Sequence, residues 1–491
     1  MMLTYQTRLL LDEKKMEILL EYAYLFNKVE RCLYAETVKG KASSSCKSSF
    51  LKQYGITARQ FNACRVSLEG KIAACQSCQE QNAISLQQKI ETLDKKIVSL
   101  GKKKDKQFSL HQKKRRKNLL ITRLEAIKSD IKEKRVHLCF GGKKLFRKQF
   151  YLEENGYSSH EEWKQVWEDK RNSEFFVLGS KDEVAGNQTC TAKVQANGKL
   201  SLRLRLPNAL AEKHGKYIEM NDIFCVYGHE AIVASLNNPT GQALSYRFKK
   251  DKKGWTVFIS TELKKVDQVS IEDRGVIGID LNTDHIAYVE TDRFGNPIKK
   301  EIYQWNSYGK TKNQLKAITG DLCKKIVDKA KQAKKPIVIE KLDFKQKKSE
   351  LGETKGSKFS RCLSSFAYGL FFNNVSARAY KNGIKLHQVN PAFTSIMGRV
   401  NYATRYGLSV HLAAALCIAR RYQKFSEAPI SSPGKIPDGK GCHVAFVLPE
   451  RNRTKHLWHY WRLVKKKILT VLAAHFRALK KRSSSRIKPA C

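Results

Sequence analysis

Two apolar runs in the second half of this chain each end in a carboxylate. Val276-Ile-Gly-Ile-Asp280 and Pro336-Ile-Val-Ile-Glu340 both read as buried strands. A buried carboxylate is costly unless something compensates it. Around these runs the pattern predicts strands over 276–281, 286–290 and 301–305, a lysine-bearing helix over 312–334, the strand 336–340, a helix over 366–382, a strand over 385–389 and a helix over 408–421. Three strands, then helix, strand, helix, strand, helix is an α/β order. Residues 429–441, rich in Pro, Gly and Ser, read as a linker or loop. A basic helix with Lys465–Lys467, Arg477 and Lys480–Arg482 follows, then a tail.

The first half reads differently. Leu3, Tyr5, Thr7 and Leu9 alternate like one face of a strand, and residues 12–34 and 57–70 have helical spacing. Leu86, Ile90, Leu93, Ile97 and Leu100, then Leu120, Leu124, Ile127 and Ile131, step by four and three as in a heptad seam. Two long helices folded as a hairpin satisfy both seams, with the basic stretch 102–117 at the tip. That tip, with Lys113, Lys114, Arg115 and Arg116, is either a nucleic-acid contact or a solvated charge run. Residues 174–269 are β-rich. Leu200, Leu202, Leu204 and Leu206 alternate with Ser201, Arg203 and Arg205, an apolar inner and a basic outer face. Further strands are predicted at 224–227, 243–248 and 255–260. With the N-terminal strand they close a small barrel or curved sheet, into which the helical block is inserted.

Composition narrows the partner. The 491 residues carry 93 Lys+Arg against 46 Asp+Glu, a net +47, while 41% hydrophobic and 10% aromatic residues allow a real core. A wholly disordered basic tail is thereby excluded. Such a charge on a folded chain calls for a polyanion, nucleic acid before an anionic membrane or an acidic protein. No stretch approaches the roughly 18 apolar residues of a membrane helix, and no signal-peptide order precedes the first helix, so a cytoplasmic, nucleoid-associated protein is expected. The 13 cysteines read as free thiols. Cys75–Cys78 is the single CxxC, with Cys64 upstream and helical spacing around it; ordinary helix cysteines are expected, and no zinc.

Within this polycation the rare acids at strand ends are informative. Asp280 can cap a turn and Glu340 can pair with Lys341. Together, on neighbouring strand ends, they would repel and raise each other's pKa. A divalent cation resolves that conflict: Mg²⁺ or Mn²⁺ takes a few carboxylates and keeps several waters, and two-metal sites clamp both oxygens of a phosphodiester displacement.

Gly278-Ile-Asp280-Leu-Asn, Ile337-Val-Ile-Glu340-Lys-Leu-Asp343-Phe and Val389-Asn-Pro391-Ala-Phe-Thr394-Ser395 follow one another in order. They resemble the three RuvC motif regions of the TnpB-like family, RNA-guided nucleases carried by insertion elements, to which type V CRISPR effectors are similar. The resemblance is specific over 276–421. Over 1–270 it is weaker and rests on Tyr5-Gln-Thr-Arg8 and Tyr24-Leu-Phe-Asn27. It implies a multidomain α+β and α/β protein: a β-barrel wedge domain (1–11 and 174–270), a helical recognition lobe inserted in it (12–173), an RNase H-like RuvC domain (275–425) and a linker with basic C-terminal helix and tail (426–491). It also implies a guide RNA, a target DNA and Mg²⁺-dependent DNA cleavage, with Asp280 and Glu340 as first and second metal ligands.

Two departures qualify this. Thr394-Ser-Ile-Met-Gly-Arg-Val-Asn-Tyr-Ala holds none of the family's paired cysteines, so its zinc insertion is absent or replaced by a short loop. In Leu408-Ser-Val-His411-Leu-Ala-Ala-Ala, His411 stands where the third acid is expected, and between Asp343 and Glu427 the only acids are Glu350 and Glu353. A neutral imidazole can ligate the metal or act as a base on the attacking water; alternatively His411 is a helix residue left after loss of activity. His285 and His387 read as ordinary strand or turn residues. Arg399 and Arg405 flank the third motif as phosphate contacts or solvated loop residues, and Lys345 leads a lysine-rich segment placed where the family has a mobile lid. The function expected is a transposon-associated, RNA-guided DNA endonuclease favouring retention of its element. The alternatives are a guided DNA-binding, repressor-like protein with weak or lost cleavage, and a transposase proper.

Overall fold

The computed structural model describes the chain except residues 103, 182, 184–185, 239–240, 264–265, 307–308, 343–367, 431–432, 439–440 and 486–491. It divides into two compact units, Met1–Lys264 and Lys265–Cys491. The architecture is mixed α and β, and among the described residues no sheet closes on itself.

In the first unit β1 (Met2–Arg8) leads into α1 (Glu13–Val38), α2 (Lys47–Tyr54), α3 (Ala58–Gly101), α4 (Gln107–Lys132), α5 (Lys143–Arg147) and α6 (His160–Arg171). There follow β2 (Glu174–Val177), β3 (Cys190–Val194), β4 (Leu200–Arg205), α7 (Asn208–His214), β5 (Tyr217–Ile223), α8 (His229–Leu236), β6 (Leu244–Asp251) and β7 (Gly254–Glu262). Among the described residues the barrel expected over 1–11 and 174–270 does not form. One open sheet has the order β1-β7-β6-β2, and a separate three-stranded sheet has the order β3-β4-β5. The pleat shows why two sheets suffice. Leu200, Leu202 and Leu204 are fully buried, as are Tyr246, Phe248 and Val257, so each sheet spends one face on a shared core and needs no closure to hide it. Tyr22 of α1 stacks on Phe175 at 4.3 Å and Phe175 on Phe248 at 4.8 Å, tying the helical block to the sheet. Residues 224–227, expected as a strand, form the turn between β5 and α8.

The separate helices read over 57–70 and beyond are one helix. Thr57 caps α3 with a full capping box to Gln60, and nothing interrupts it for 44 residues. Its far half pairs with α4, as the seams predict: Leu86, Ile90 and Leu124 are buried between the two, flanked by Ala83, Leu120, Ile121 and Ile127. Cys75 and Cys78 sit one turn apart on α3.

The second unit contains β8 (Ile277–Leu281), β9 (His285–Thr291), β10 (Pro297–Gln304), α9 (Lys312–Ala333), β11 (Ile337–Glu340), α10 (Tyr368–Lys381), β12 (Leu386–Val389), α11 (Thr394–Gly398), α12 (Val410–Tyr422), β13 (Gly434–Pro437), β14 (His443–Phe446) and α13 (Leu457–Ser485). Its main sheet has the order β10-β9-β8-β11-β12. The first three strands are antiparallel; β11 runs parallel to both β8 and β12. Both faces are covered, which is why β8 and β11 are apolar without alternation. Ile277, Ile279, Ile337 and Ile339 pack with α9 and α10, while Val276, Val338 and Val389 pack with Ile418 and Ala419 of α12. The segment read as linker, 429–441, instead contributes β13, paired antiparallel with β14. Ile436 and Phe446 join Trp461 and Val464 of α13 in a core against α12. Among the described residues no helix is long and apolar enough to cross a membrane.

Two glycines test this packing. A Cβ on Gly278 would lie 2.1 Å from the Ala415 carbonyl oxygen and 2.9 Å from the Ala419 Cβ, so Gly278→Ala must push α12 off the sheet. We expect a loss of about 2–3 kcal/mol, read as a melting transition of the second unit lower by roughly 5–10 °C. Gly70, in the middle of α3, has nothing within 4 Å of its missing Cβ. Gly70→Ala is expected to stabilise the first unit by about 0.5–1 kcal/mol.

Candidate active site

Strand parity decides which acids share a face. Val276, just before β8, and residues 278 and 280 of β8 point to the α12 side, and so do 338 and 340 of β11. In the parallel register Ile279 lies opposite Ile339, so Asp280 and Glu340 occupy the next step on adjacent parallel strands. Neighbouring strands lie about 4.8 Å apart. The two carboxylates therefore stand side by side at the carboxyl ends of β8 and β11, the place where open α/β sheets carry their ligand sites.

The third member arrives through Gly278. Because α12 rests directly on the backbone there, its first turn overhangs the end of β8. Ser409 caps that turn by accepting from the Leu412 N–H at 3.3 Å. His411 then stands with Nδ1 3.5 Å from Asp280 Oδ2, its side chain half exposed while that of Asp280 is 10% exposed. Ala413, Ala414 and Ala415 follow, all buried; their small side chains permit the close approach. On the same helix, burial pushes the Cys417 thiol up to about 12.

Each acid already has polypeptide partners. Asn282 Nδ2 donates to Asp280 Oδ2 at 3.0 Å. The Thr394 hydroxyl donates to Glu340 Oε1, and Tyr368 donates to the Glu340 carbonyl at 2.7 Å. Thr394 is presented by the loop after β12, where Phe393 takes the left-handed conformation at φ 62° and Arg421 braces the carbonyls of Asn390 and Ala392. A non-glycine residue with positive φ costs energy that its surroundings must repay. All three motif regions thus meet at one sheet end. Asn282, Thr394 and Arg421 were not singled out from sequence; the hydroxyl and amide inside the first and third motifs were the available signal.

The remaining candidates have other surroundings. Arg399 opens a π-helical turn, Arg399–Ala403, and its guanidinium donates to the Pro437 carbonyl; burial draws it below its ordinary pKa, offset in part by Asp438. Arg405 is exposed, with its guanidinium 5.5 Å from the Tyr406 ring. In the first unit Arg203 is exposed on β4, stacked on Tyr217 at 4.0 Å, and Arg205 is half-buried. On α4, Lys114, Arg115 and Arg116 are exposed and Lys113 is half-buried. Lys345 lies outside the described residues. His387 accepts or donates at 2.9 Å to the Tyr422 hydroxyl, and burial lowers its pKa. His285, read as an ordinary turn residue, stands beside His411, with ring centroids 4.4 Å apart.

Among the described residues no three His, Cys, Asp or Glu side chains converge as a ready-made metal cage. The donor chemistry still suits a hard cation. Mg²⁺ is bound through one or two carboxylates plus substrate phosphates and waters rather than by all-protein cages, and Asp280 and Glu340 are two such carboxylates.

No protein-family model and no curated protein matches the sequence. Solved structures similar to the chain include Thermus thermophilus RuvC in complex with a Holliday junction substrate (14% identity, covering 29% of this chain and 88% of that one, TM-score 0.21) and T. thermophilus RuvC alone (15%, 29% and 90%, TM-score 0.20). A CRISPR-Cas12f ternary complex is also similar (13% identity, 85% and 98%, TM-score 0.21). At these values the likenesses assign nothing to this chain.

Thr394→Val should leave Glu340 Oε1 without its hydroxyl donor while keeping the side-chain volume. A loss of about 1–2 kcal/mol is expected, seen as faster amide hydrogen exchange in β11 and α12; Thr394→Ser should restore protection.

Proposed function

We propose that this protein is a divalent-metal-dependent DNA endonuclease with a RuvC-like, RNase H-like site, directed by a bound RNA and belonging to the TnpB-like group. The observation that carries the reading is the placement of Asp280 and Glu340 on adjacent parallel strand ends, on one face, with His411 against Asp280. Support for the guide is indirect: the order of the three motif regions, and a net +47 that one short DNA footprint would not use. Pairing with the RNA would read the sequence, and the protein would hold the heteroduplex by its backbone.

Asp280 and Glu340 would hold Mg²⁺ or Mn²⁺. When bound, such an ion lowers the pKa of water and neutralises charge on the phosphate. The chain's own residues do the rest. Asn282 donates to one oxygen of Asp280 and Thr394 to one oxygen of Glu340, which fixes how the two carboxylates would be presented to the ion. His411, half exposed at the mouth of the site, takes the proton of the attacking water. In the ion's absence the Thr394 hydroxyl, the Asn282 amide and the His411 ring offset the mutual repulsion of the two acids.

A second reading, a guided DNA binder without cleavage, is favoured by one observation: an imidazole occupies the position where a third carboxylate is expected. Transposon retention and nucleoid association follow only from the TnpB-like resemblance.

Plasmid cleavage by the protein purified with its co-expressed RNA separates these. EDTA should abolish cleavage and Mg²⁺ or Mn²⁺ restore it. Asp280→Ala and Glu340→Ala should each lower the rate by about 10³-fold or more and His411→Ala by about 10²-fold, with DNA binding retained. Wild-type cleavage by Asp280→Ala would sink the site assignment. Guide-dependent binding without cleavage in any divalent ion would establish the binder, and absence of co-purifying RNA would remove the guide.

A further inference from the structure

The β8–β9 turn delivers more than Asp280 to the site. Asn282 N–H donates to the His285 carbonyl at 2.9 Å, and the Trp305 N–H donates to the Asp284 carbonyl at 2.7 Å, so the turn is closed on itself and tied to the chain beyond β10. Asp280 pairs with Ala287 across the ladder. His285 has the parity of Ala287 and Val289 and shares the α12 face of the sheet with Asp280.

His285 is held at one nitrogen and buried at the other. Nδ1 lies 2.8 Å from Asp284 Oδ1, while the side chain is only 14% exposed. With a carboxylate as partner, Nδ1 carries the hydrogen. Nε2 is buried and has no hydrogen-bond partner in the described structure. Buried nitrogens of this kind are rare enough to need an explanation. Against this fixed ring stands His411, edge to face at 77°. His411 itself is half exposed, and its Nδ1 contact to Asp280, 3.5 Å, is too long to lock the ring alone.

We propose that Asp284 and His285 form a positioning pair for His411. The Asp284 carboxylate fixes the ring of His285, and that ring sets the rotation of His411 so that Nδ1 faces Asp280. The pair rests on the reading of the site given above, and it acts through His411 without touching the substrate. Outer partners that orient a site imidazole are typically worth about 10–100-fold in activity or metal affinity, because small rotations of a reacting group are expensive.

The test uses the full-length protein with its co-purified RNA and a guided plasmid in Mg²⁺. His285→Ala is expected to lower the single-turnover cleavage rate about 10–100-fold with DNA affinity unchanged. His285→Phe, which keeps an edge-to-face ring but not the Asp284 link, should fall between, and it carries the test if the alanine variant does not fold. The His285→Ala/His411→Ala double variant should be no slower than His411→Ala, because a positioning residue has no effect once its target is gone. Cleavage by His285→Ala at the wild-type rate, or full additivity in the double variant, overturns the pair. A second readout needs neither guide nor cleavage: imidazole ¹⁵N–¹H correlations of histidine-labelled protein, free of metal and nucleic acid. Asp284→Asn and His285→Ala should each shift or broaden the His411 signal, and an unchanged His411 signal in both variants overturns the proposal. If the wild type does not cleave, the functional reading fails, and the spectra alone decide the pair.

Discussion

The site depends on a missing side chain. At Gly278 the backbone of β8 touches the carbonyl of Ala415, and this contact sets how far α12 stands from the sheet. A helix one methyl further out would carry His411 away from Asp280 and open the core that Ile418 and Ala419 share with Val276, Val338 and Val389. Gly398 repeats the device from the other side: its missing Cβ would sit 2.4 Å from the Ala413 carbonyl. The helix is thus held between two glycines, and its run of alanines reflects that confinement more than any intrinsic preference for helix.

Much of the second unit was legible from sequence because both faces of its sheet are buried. Continuous apolar runs such as 276–279 and 336–339 have few other uses, so the succession of elements along the chain and the two terminal acids came directly from pattern, while the order of strands within the sheet did not. The hairpin of α3 and α4 was legible for a similar reason, since a four-three step admits one seam. The barrel was not a sound expectation. Alternating strands say which face is buried, but not whether the last strand pairs with the first or a second sheet forms beside it. The β13–β14 hairpin hid within a segment whose Pro and Gly content dominated its pattern, although Ile436 and Phe446 provided its buried side.

The candidate site was legible in part. Asp280 and Glu340 stand out because a carboxylate ending an apolar strand needs a compensating partner. His411 stood out because it holds the place where the family resemblance expects a third acid. What composition and spacing could not supply was the company these residues keep. Thr394 reaches Glu340 because a left-handed Phe393 and the reach of Arg421 turn the loop after β12. His285 lies by His411 because the pleat puts it there, and its neighbour in sequence is what fixes its ring. Arg399, by contrast, looked like a phosphate contact and is turned onto the Pro437 carbonyl, since a long cationic side chain near a buried hairpin can serve the fold as readily as a ligand.

The α3–α4 hairpin is a one-dimensional object attached to a three-dimensional core. Forty-four helical residues span about 66 Å at 1.5 Å each, and the distal half buries side chains only against its antiparallel partner. Each heptad pair is then a repeating unit whose energy comes from its immediate neighbours, much as in a solenoid. The reach of the basic tip is consequently a length variable that can be changed in steps of seven residues on each arm, about 10.5 Å at a time, with the sheets beneath unaffected. Such an arm can be lengthened or shortened independently of the chemistry at Asp280.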